Sequence, residues 1–419
     1  MQQVFAIARQ AIRGAIRSRV FVSILALLFL VLIGLPLIIK GDGTAAGHAR
    51  ILLRYSLGLA TLLLAVATVW SACAAISREI EERRLLLVVC KPVARFRIWL
   101  GKWVGIVTVA AVLTAIAGLL AYGQLLWAMR STRLTEPERA TLRRDVLVAM
   151  QIVRPAPRAP QKTVVVAPGQ MGRWVFQIPG AAGRERRVAL RFRLASSTQR
   201  QNAALRGTWL IGAPAAAARH RYAEPVVPGV HQIKIPHNAI PPDGALAVEY
   251  ANLDDSATAV FAAADGVELL VEHGGFLMNY VRALCMMFLQ LALLAAFGLL
   301  AGSLLSLPVA AFVSFVAMAL LAAQGYVRTV AARGLHAMGM PGEAGPRLLD
   351  YFVAGVFNVL NLFVQPLAEF RPLEAVAEGR LVSWGLLGQA ALVLILLYAG
   401  ILALLSAWLF GRREIGLAA

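Results

Sequence analysis

The chain carries six apolar stretches that are each about 20 residues or longer, which is the length a helix needs to cross the hydrocarbon core of a bilayer. Because polar residues separate these stretches, we predict six transmembrane helices. An even number of spans places both termini on the same side of the membrane. The stretches are residues 20–39, 51–76, 99–128, 276–303, 307–327 and 382–410.

A seventh apolar run, at residues 346–366, differs from the others because polar residues interrupt it and prolines bound it. A lipid-facing helix has no partner for such side chains, so we expect an external or re-entrant helix here. The interrupting residues are Asp350, Asn358, Asn361 and Gln365.

The N-terminal segment has helical periodicity. Arg9, Arg13 and Arg17 fall on one narrow arc of a helical wheel, and the other side is apolar. This pattern predicts an amphipathic helix that lies flat at the membrane surface before the first span. The apolar side consists of Val4, Phe5, Ile7, Ala11, Ile12, Ala15 and Ile16.

Residues 129–275 are too polar to span a membrane and form a large insert. It begins with "TEPERATLRRDVLVAM", where Thr135 and Glu138 have the spacing of a capping box, so we expect a helix first. The pattern then changes to alternation, which is typical of half-buried strands. We therefore predict an antiparallel, jelly-roll-like β-sandwich. The predicted strands are "RWVFQI", "RVALRFRLA", "GTWLIG", "VHQIKI", "ALAVEY", "TAVF" and "VELLVE".

The composition supports an integral membrane protein, because 59% of the 419 residues are hydrophobic and only 15% are charged. The net charge is +19, but the basic residues flank apolar runs and no nucleic-acid-binding motif accompanies them, so we expect no nucleic-acid partner. Basic groups next to spans favour the cytoplasmic side. They are Arg9, Arg13, Arg17 and Arg19 before the first span, Arg83, Arg84, Lys91, Arg95, Arg97 and Lys102 after the second, and Arg412 and Arg413 after the last.

Candidate chemistry is sparse. The three cysteines have no CxxC spacing, and no pairing of nucleophile and base or of carboxylates points to an enzyme. The loop "HAMGMPG" could hold a soft metal through His336, Met338 and Met340, but a loop with incidental sulfur is favoured, and no metal site is predicted.

Four polar side chains within or beside the spans are candidates for a substrate path or a helix interface. Arg54 and Arg282 are expected near the outer ends of their spans, where snorkelling is favoured over a contact with substrate. Gln124 and Asn279 could line a path or bond across helices.

The densest run of mixed charge, "SREIEERRLLLVVCKPVARFRIWLGKW" at residues 77–103, lies between the second and third spans. It begins with helix-favouring charged residues, continues into an apolar run and breaks at Lys91 and Pro92. We predict a short amphipathic helix on the cytoplasmic surface that presents Glu79, Glu82 and Arg83 to a partner.

This stretch resembles the permease subunits of type-2 ABC exporters, in particular the branch similar to the permease of the nitrous-oxide-reductase maturation system. The resemblance rests on a charged helix, a Lys-Pro break and a Gly-Lys entry in the same order. The residues that carry it are Ile76 to Glu81, Leu85 to Leu87, Lys91, Pro92, Val93, Arg95, Leu100, Gly101, Lys102 and Gly105.

The resemblance implies a bacterial inner-membrane permease in which residues 77–97 form a coupling helix that docks on an ATPase dimer. The chain has no G-x-x-x-x-G-K-[ST] loop, so ATP and Mg would bind the partner chain and this chain would need no cofactor. A second permease copy or paralogue and membrane lipid are further expected partners. The docking residues would be Arg78, Glu79, Glu82, Arg83, Lys91, Pro92 and Arg95.

We therefore expect three parts, residues 1–128, 129–275 and 276–419, in an exporter permease whose insert receives substrate or docks a protein or glycan. One alternative is ATP-driven transmission of force or signal to an external partner without solute transport. Two further classes are less favoured. A membrane enzyme acting on lipid-linked sugar would need a cluster of acidic residues or histidines at a membrane face, and a passive membrane anchor would not need the coupling segment.

Overall fold

A computed structural model divides the chain into two compact units. One unit is helical and comprises Met1–Val146, Leu277–Glu378 and Val382–Ala419, and the other comprises Leu147–Phe276 and Gly379–Leu381 and contains the strands. The structure describes residues 2–38, 45–81, 95–130, 148–156, 163–178, 187–196, 205–212, 220–223, 229–262, 266–322, 370 and 372–412.

The helical unit consists mainly of long apolar helices. Its C-terminal helix changes from α-helical to π-helical hydrogen bonding at Ala391–Ala399 and returns to α-helix at Gly400. The helices are α1 Gln2–Arg17, α2 Arg19–Ile38, α3 Ala45–Glu81, α4 Arg95–Arg130, α5 Phe276–Leu304, α6 Leu307–Ala322, α7 Pro372–Ala377, α8 Trp384–Ala390 and α9 Gly400–Arg412.

Within the described residues, five helical segments are long and apolar enough to cross a membrane, so the chain is a multi-pass membrane protein. They coincide with five of the six predicted spans. The predicted span 307–327 corresponds to α6, whose described part is shorter, and residues 323–327 lie outside the description. The five segments are Arg19–Pro36, Gly47–Ile80, Phe96–Arg130, Phe276–Leu304 and Trp384–Leu409.

The core of the helical unit combines buried side chains from α2 to α6, such as Leu32, Leu64 and Leu291. Its outer surface is also apolar. Leu30 is 70% exposed, Leu119 72% and Leu396 74%. A water-soluble protein would not leave so many large apolar side chains exposed, whereas a lipid-facing surface requires them.

The unit with the strands forms two antiparallel sheets. The first has the order β1-β10-β4-β9-β2, with β7 also pairing with β4, and the second has the order β3-β8-β5-β6. The strands are β1 Val148–Val153, β2 Thr163–Val166, β3 Met171–Gln177, β4 Val188–Ser196, β5 Gly207–Gly212, β6 His220–Ala223, β7 Gly229–Ile235, β8 Ala245–Asn252, β9 Ala259–Ala262 and β10 Val267–Gly275.

One hydrophobic cluster contains side chains from both sheets. In β4, the predicted inward positions Val188, Leu190, Phe192 and Leu194 are all buried, whereas Arg193 is exposed. The predicted alternation is therefore confirmed from Leu190 to Leu194, whereas Ala189, between two inward residues, is buried as well. Five large aromatic rings of the cluster contact one another: Trp174, Phe192, Trp209, Tyr250 and Phe261.

A network of short hydrogen bonds stabilises the turn after β8. The side-chain amide of Asn252, which is fully buried, donates to the carbonyl groups of Val166 (3.0 Å) and Ala257 (2.9 Å). The carboxylate of Asp254 accepts from the backbone N–H groups of Ser256 and Ala257. Chiefly because of these two bonds, the pKa of Asp254 lies below its usual value.

The unit with the strands differs from the predicted insert in its first strand and in three residues that come from later in the chain. Val148–Met150 were predicted to continue a helix, but they begin strand β1, because they pair with the distant strand β10. Residues 379–381 come from beyond the insert and bond to β1: the Met150 N–H donates to Gly379 O (2.7 Å) and the Leu381 N–H to Met150 O (2.8 Å). The capping box at Thr135 and Glu138 lies outside the described residues.

Candidate functional site at the junction of helices α1, α3 and α4

The predicted coupling segment lies between α3 and α4. The structure describes its two ends, because α3 continues to Glu81 and α4 begins at Arg95, whereas residues 82–94 lie outside the description. Residues 77–81 were predicted to belong to a separate surface helix. They instead form the last turn of α3, since nothing between Ile76 and Glu81 interrupts the backbone ladder.

An ion pair joins α3, which enters the segment, to α4, which leaves it. The Oε2 of Glu79 lies 2.6 Å from the Nζ of Lys102, and Lys102 also donates to the carbonyl oxygen of Ala75, one turn earlier in α3. The side chain of Lys102 is only 4% exposed and that of Glu79 is 22% exposed. An ammonium group this deeply buried requires a counter-charge, so Glu79 and Lys102 depend on each other.

Two glycines of α4 allow α1 to approach closely. A Cβ atom at Gly101 would lie 2.7 Å from the Cβ of Ile7, and one at Gly105 would lie 2.6 Å from the carbonyl oxygen of Ala8. Any side chain at these positions would therefore displace α1. Gly101 and Gly105 form a small-xxx-small spacing, which lets helix backbones pack against each other inside membranes.

A second glycine pair, Gly298 and Gly302 of α5, packs against α3. A Cβ atom at Gly298 would lie 2.7 Å from the Cβ of Ala72, and one at Gly302 would lie 2.6 Å from the carbonyl oxygen of Cys73. The hydroxyl of Ser77, which is buried, donates to Gly302 O (3.0 Å). The last turns of α3 are thus held between α4 and α5.

A cleft of about 1470 Å³ lies beside this junction. Its lining comes from α1, the last turns of α3 and the first turns of α4. The charged lining residues are Arg9, Arg13, Arg17, Arg78, Arg97, Lys102 and Glu79.

The predicted docking residues have different environments. Arg78 is exposed on the last turn of α3, whereas Glu79, predicted to face a partner, pairs with Lys102. Arg95 begins α4, and its side chain is outside the description. Glu82, Arg83, Lys91 and Pro92 also lie outside the described residues, as do the predicted external helix at 346–366 and the loop of His336, Met338 and Met340.

Of the four candidate path residues, three bond to neighbouring elements of the helical unit. Gln124 accepts from the Ser56 hydroxyl (2.8 Å) and donates to Leu32 O. The side-chain oxygen of Asn279 accepts from the backbone N–H of Val382 (2.7 Å), and the guanidinium of Arg282 donates to the carbonyl oxygen of Val382 (2.7 Å). Arg54 is exposed.

The sequence alone gave no reason to connect Glu79 with Lys102, because nothing local specifies which helices pack together. The glycine spacing of α4 belongs to the pattern that resembles the exporter permeases, and the general rule for small residues in membrane helices predicts its packing role. The same rule would have identified Gly298 and Gly302.

The contacts at the junction connect helices. Glu79 and Lys102 form an ion pair, Lys102 and Ser77 donate to backbone carbonyls, and the glycines of α4 and α5 bring helix backbones close together. A scan against protein-family models finds no match to this chain, and a search of curated proteins finds none either.

Proposed function

We propose that this chain is the permease subunit of an ABC exporter, in which a separate ATPase dimer docks on residues 77–97 and drives rearrangement of the membrane helices. ATP and Mg would bind the ATPase chain. The permease would pair with a second copy or a paralogue, because the family it resembles works with two permeases and two ATPases.

The observation that supports this proposal is the ion pair between Glu79 and Lys102. A segment that transmits movement must have rigid ends, and this pair binds the helix that enters the segment to the helix that leaves it. Gly105 adds α1 to the same packed group. A displacement of residues 82–94 would therefore move three helices together.

The topology that goes with this function has six spans, with α6 as the fifth. Both termini and residues 77–97 would be cytoplasmic, since basic residues accumulate there. The two sheets, whose inward side chains share one core, would form a sandwich outside the bacterial inner membrane, where it could receive substrate or dock an external protein or glycan.

The test is co-purification of an ATPase. The protein is extracted from its native membrane in mild detergent, and the bound fraction is assayed for ATP hydrolysis. We compare the wild type with Glu82→Lys/Arg83→Glu, which reverses two charges of the docking segment without touching the Glu79–Lys102 pair. The expected result is ATPase activity with the wild type and its loss with the variant.

A matched control reverses two exposed charges in the unit with the strands, Arg154→Glu and Asp255→Lys. This control should retain the ATPase. If the wild type brings down no ATPase from its native membrane, or if both double variants lose it equally, the docking proposal is wrong.

A second candidate function is ATP-driven transmission of force to an external partner without solute transport. A direct chain connection between the two units favours this candidate. Leu381 belongs to the unit with the strands, and the next residue, Val382, belongs to the helical unit and precedes its C-terminal helix. Reconstituted vesicles that hydrolyse ATP but accumulate none of the substrates offered would favour this candidate over export.

A further inference from the structure

We infer that the cleft between α1, α3 and α4 is a binding site for the headgroup of an anionic phospholipid. The cleft shares Arg78, Glu79 and Arg97 with the two ends of the predicted docking segment, but the inference does not rest on the proposed function and stands whether or not the chain is a transporter. Charge, exposed apolar surface and unpartnered hydroxyl groups support it independently.

The charge of the cleft comes from arginine. Lys102 and Glu79 compensate each other, and Glu79 is the only carboxylate among the described lining residues. Five arginines thus remain around one cleft. Guanidinium groups bind phosphate oxygens in a bidentate manner, so this lining is suited to a phosphate group. They are Arg9, Arg13, Arg17, Arg78 and Arg97.

Exposed apolar side chains beside the arginines distinguish a lipid from a soluble anion. Phe5 of α1 is 76% exposed and lines the cleft, as do Phe96 (43% exposed) and Val104 (36% exposed) of α4. Water would not favour such exposure, whereas acyl chains would cover it. A headgroup in the cleft would place its acyl chains over this apolar surface.

Helix α1 has one side that packs inside the protein and another side that carries the exposed apolar residues and the arginines. Its side that includes Ile7, Ala8 and Ala11 packs against the glycines of α4, so the apolar side predicted to enter the membrane is partly used inside the protein. Phe5 and Ile16 remain exposed on the adjoining side, next to the arginines. The remaining apolar strip and the basic strip together have the composition of an interfacial helix.

Two hydroxyl groups in the lining have no partner within the described part of the chain. The oxygens of Ser18 and Ser71 are both buried and unbonded, and Ser71 as a whole is only 8% exposed. A buried hydroxyl without a hydrogen bond is unfavourable. Because both residues line the cleft, a rotation of each side chain would let its hydroxyl bond to phosphate or glycerol oxygens of a headgroup.

The experiment measures lipid binding to the full chain in mild detergent by native mass spectrometry, with phosphatidylglycerol, phosphatidylcholine and glycerol 3-phosphate as probes. Phosphatidylglycerol should be retained over phosphatidylcholine. Arg13→Gln/Arg97→Gln should weaken its binding by about tenfold or more, since two charge-assisted contacts are lost. The matched control, Arg130→Gln/Arg154→Gln, removes the same charge at two exposed positions away from the cleft and should bind as the wild type does.

A neutral variant separates a cleft from general attraction to a basic surface. Ala74→Phe places a ring in the cleft without changing any charge, and it should reduce phosphatidylglycerol binding while the thermal unfolding temperature stays near the wild-type value. Normal binding by Ala74→Phe, or an equal loss in the Arg130/Arg154 control, would overturn the inference. Displacement of the lipid by an equal concentration of glycerol 3-phosphate would assign the cleft to soluble anions instead.

Discussion

Glu79 and Lys102 form a buried ion pair that ties the end of α3 to the beginning of α4, with 2.6 Å between Oε2 and Nζ. The pair is asymmetric, because the side chain of Lys102 is nearly inaccessible whereas that of Glu79 is 22% exposed. Removal of one partner should therefore not have the same effect as removal of the other.

We predict that Glu79→Gln destabilises the protein by about 3–5 kcal/mol, since it leaves the Lys102 ammonium buried without a counter-charge. Lys102→Met should cost less, because water can still reach Glu79. The double variant should recover most of the stability lost in Glu79→Gln. Reversible unfolding in mixed micelles measures the free energy of unfolding of the two single variants and the double variant.

The control for this cycle is the exposed pair Arg187–Glu272, whose atoms are 3.6 Å apart and whose side chains are 56% and 33% exposed. Glu272→Gln should change stability by less than about 1 kcal/mol. Equal effects of Glu79→Gln and Glu272→Gln would show that burial does not set the strength of the Glu79–Lys102 pair.

The second prediction concerns the contact between α1 and α4. Gly105→Ala should destabilise the protein by about 1–3 kcal/mol, because its methyl group would lie 2.6 Å from the carbonyl oxygen of Ala8 and 2.8 Å from the Cβ of Ala11. Displaced α1 should also be cleaved faster by trypsin at its arginines. Limited proteolysis and thermal unfolding report the two effects.

Gly123→Ala is the matched control in the same helix, since nothing lies within 4 Å of a Cβ atom at that position. It should be neutral or stabilise the protein by up to about 1 kcal/mol through helix propensity. If both alanine variants leave the cleavage of α1 unchanged, close packing at Gly105 is not what holds α1.

The sequence was most informative where the structure depends on a local period. The alternation in β4 identified four of its buried residues but not Ala189, and the hydrophobic runs located five helical segments within a few residues. It failed at Val148–Met150, because the residues before them favour helix and only pairing with β10 makes them a strand. Gly379–Leu381 carry no strand pattern and join the sheet through a single residue pair.

At the candidate site, the sequence located the region but not its contacts. The charged run predicts a short amphipathic helix that presents Glu79, Glu82 and Arg83 to a partner. Glu79 instead pairs with Lys102, a residue of the next helix, and this pairing depends on how α3 and α4 pack. Which charges pair with each other is a property of the tertiary fold.

The third prediction concerns Tyr250 in the core shared by the two sheets. Burial, with a smaller contribution from the charge of Asp254, raises the pKa of Tyr250 to about 12. The fold therefore favours the neutral phenol. Stability should be unaffected by this group below about pH 10, the pKa of an unfolded tyrosine, and should fall by up to about 3 kcal/mol as the pH rises from 10 to 12.

The phenol oxygen of Tyr250 has no hydrogen-bond partner among the described residues, so Tyr250→Phe should be nearly neutral or stabilising at pH 7. The variant should also lose the part of the alkaline destabilisation that Tyr250 causes. Phenolate absorbance and tryptophan fluorescence of the full chain, followed together against pH, measure both effects. An identical alkaline transition in the wild type and the variant would rule out Tyr250 as its source.

The last prediction concerns Asn252, which is fully buried at the end of β8. Asn252→Ala removes the donors to Val166 O and Ala257 O and the acceptor of the Asp254 N–H, so three backbone groups lose a partner. We expect a loss of about 2–3 kcal/mol, because unsatisfied buried carbonyls are costly. Asn238→Ala, at an exposed asparagine of the same unit, is the control and should change stability by less than about 0.5 kcal/mol. Unfolding of the unit with the strands, followed by tryptophan fluorescence, compares the two, and equal stability of both variants would mean that the turn does not depend on the Asn252 side chain.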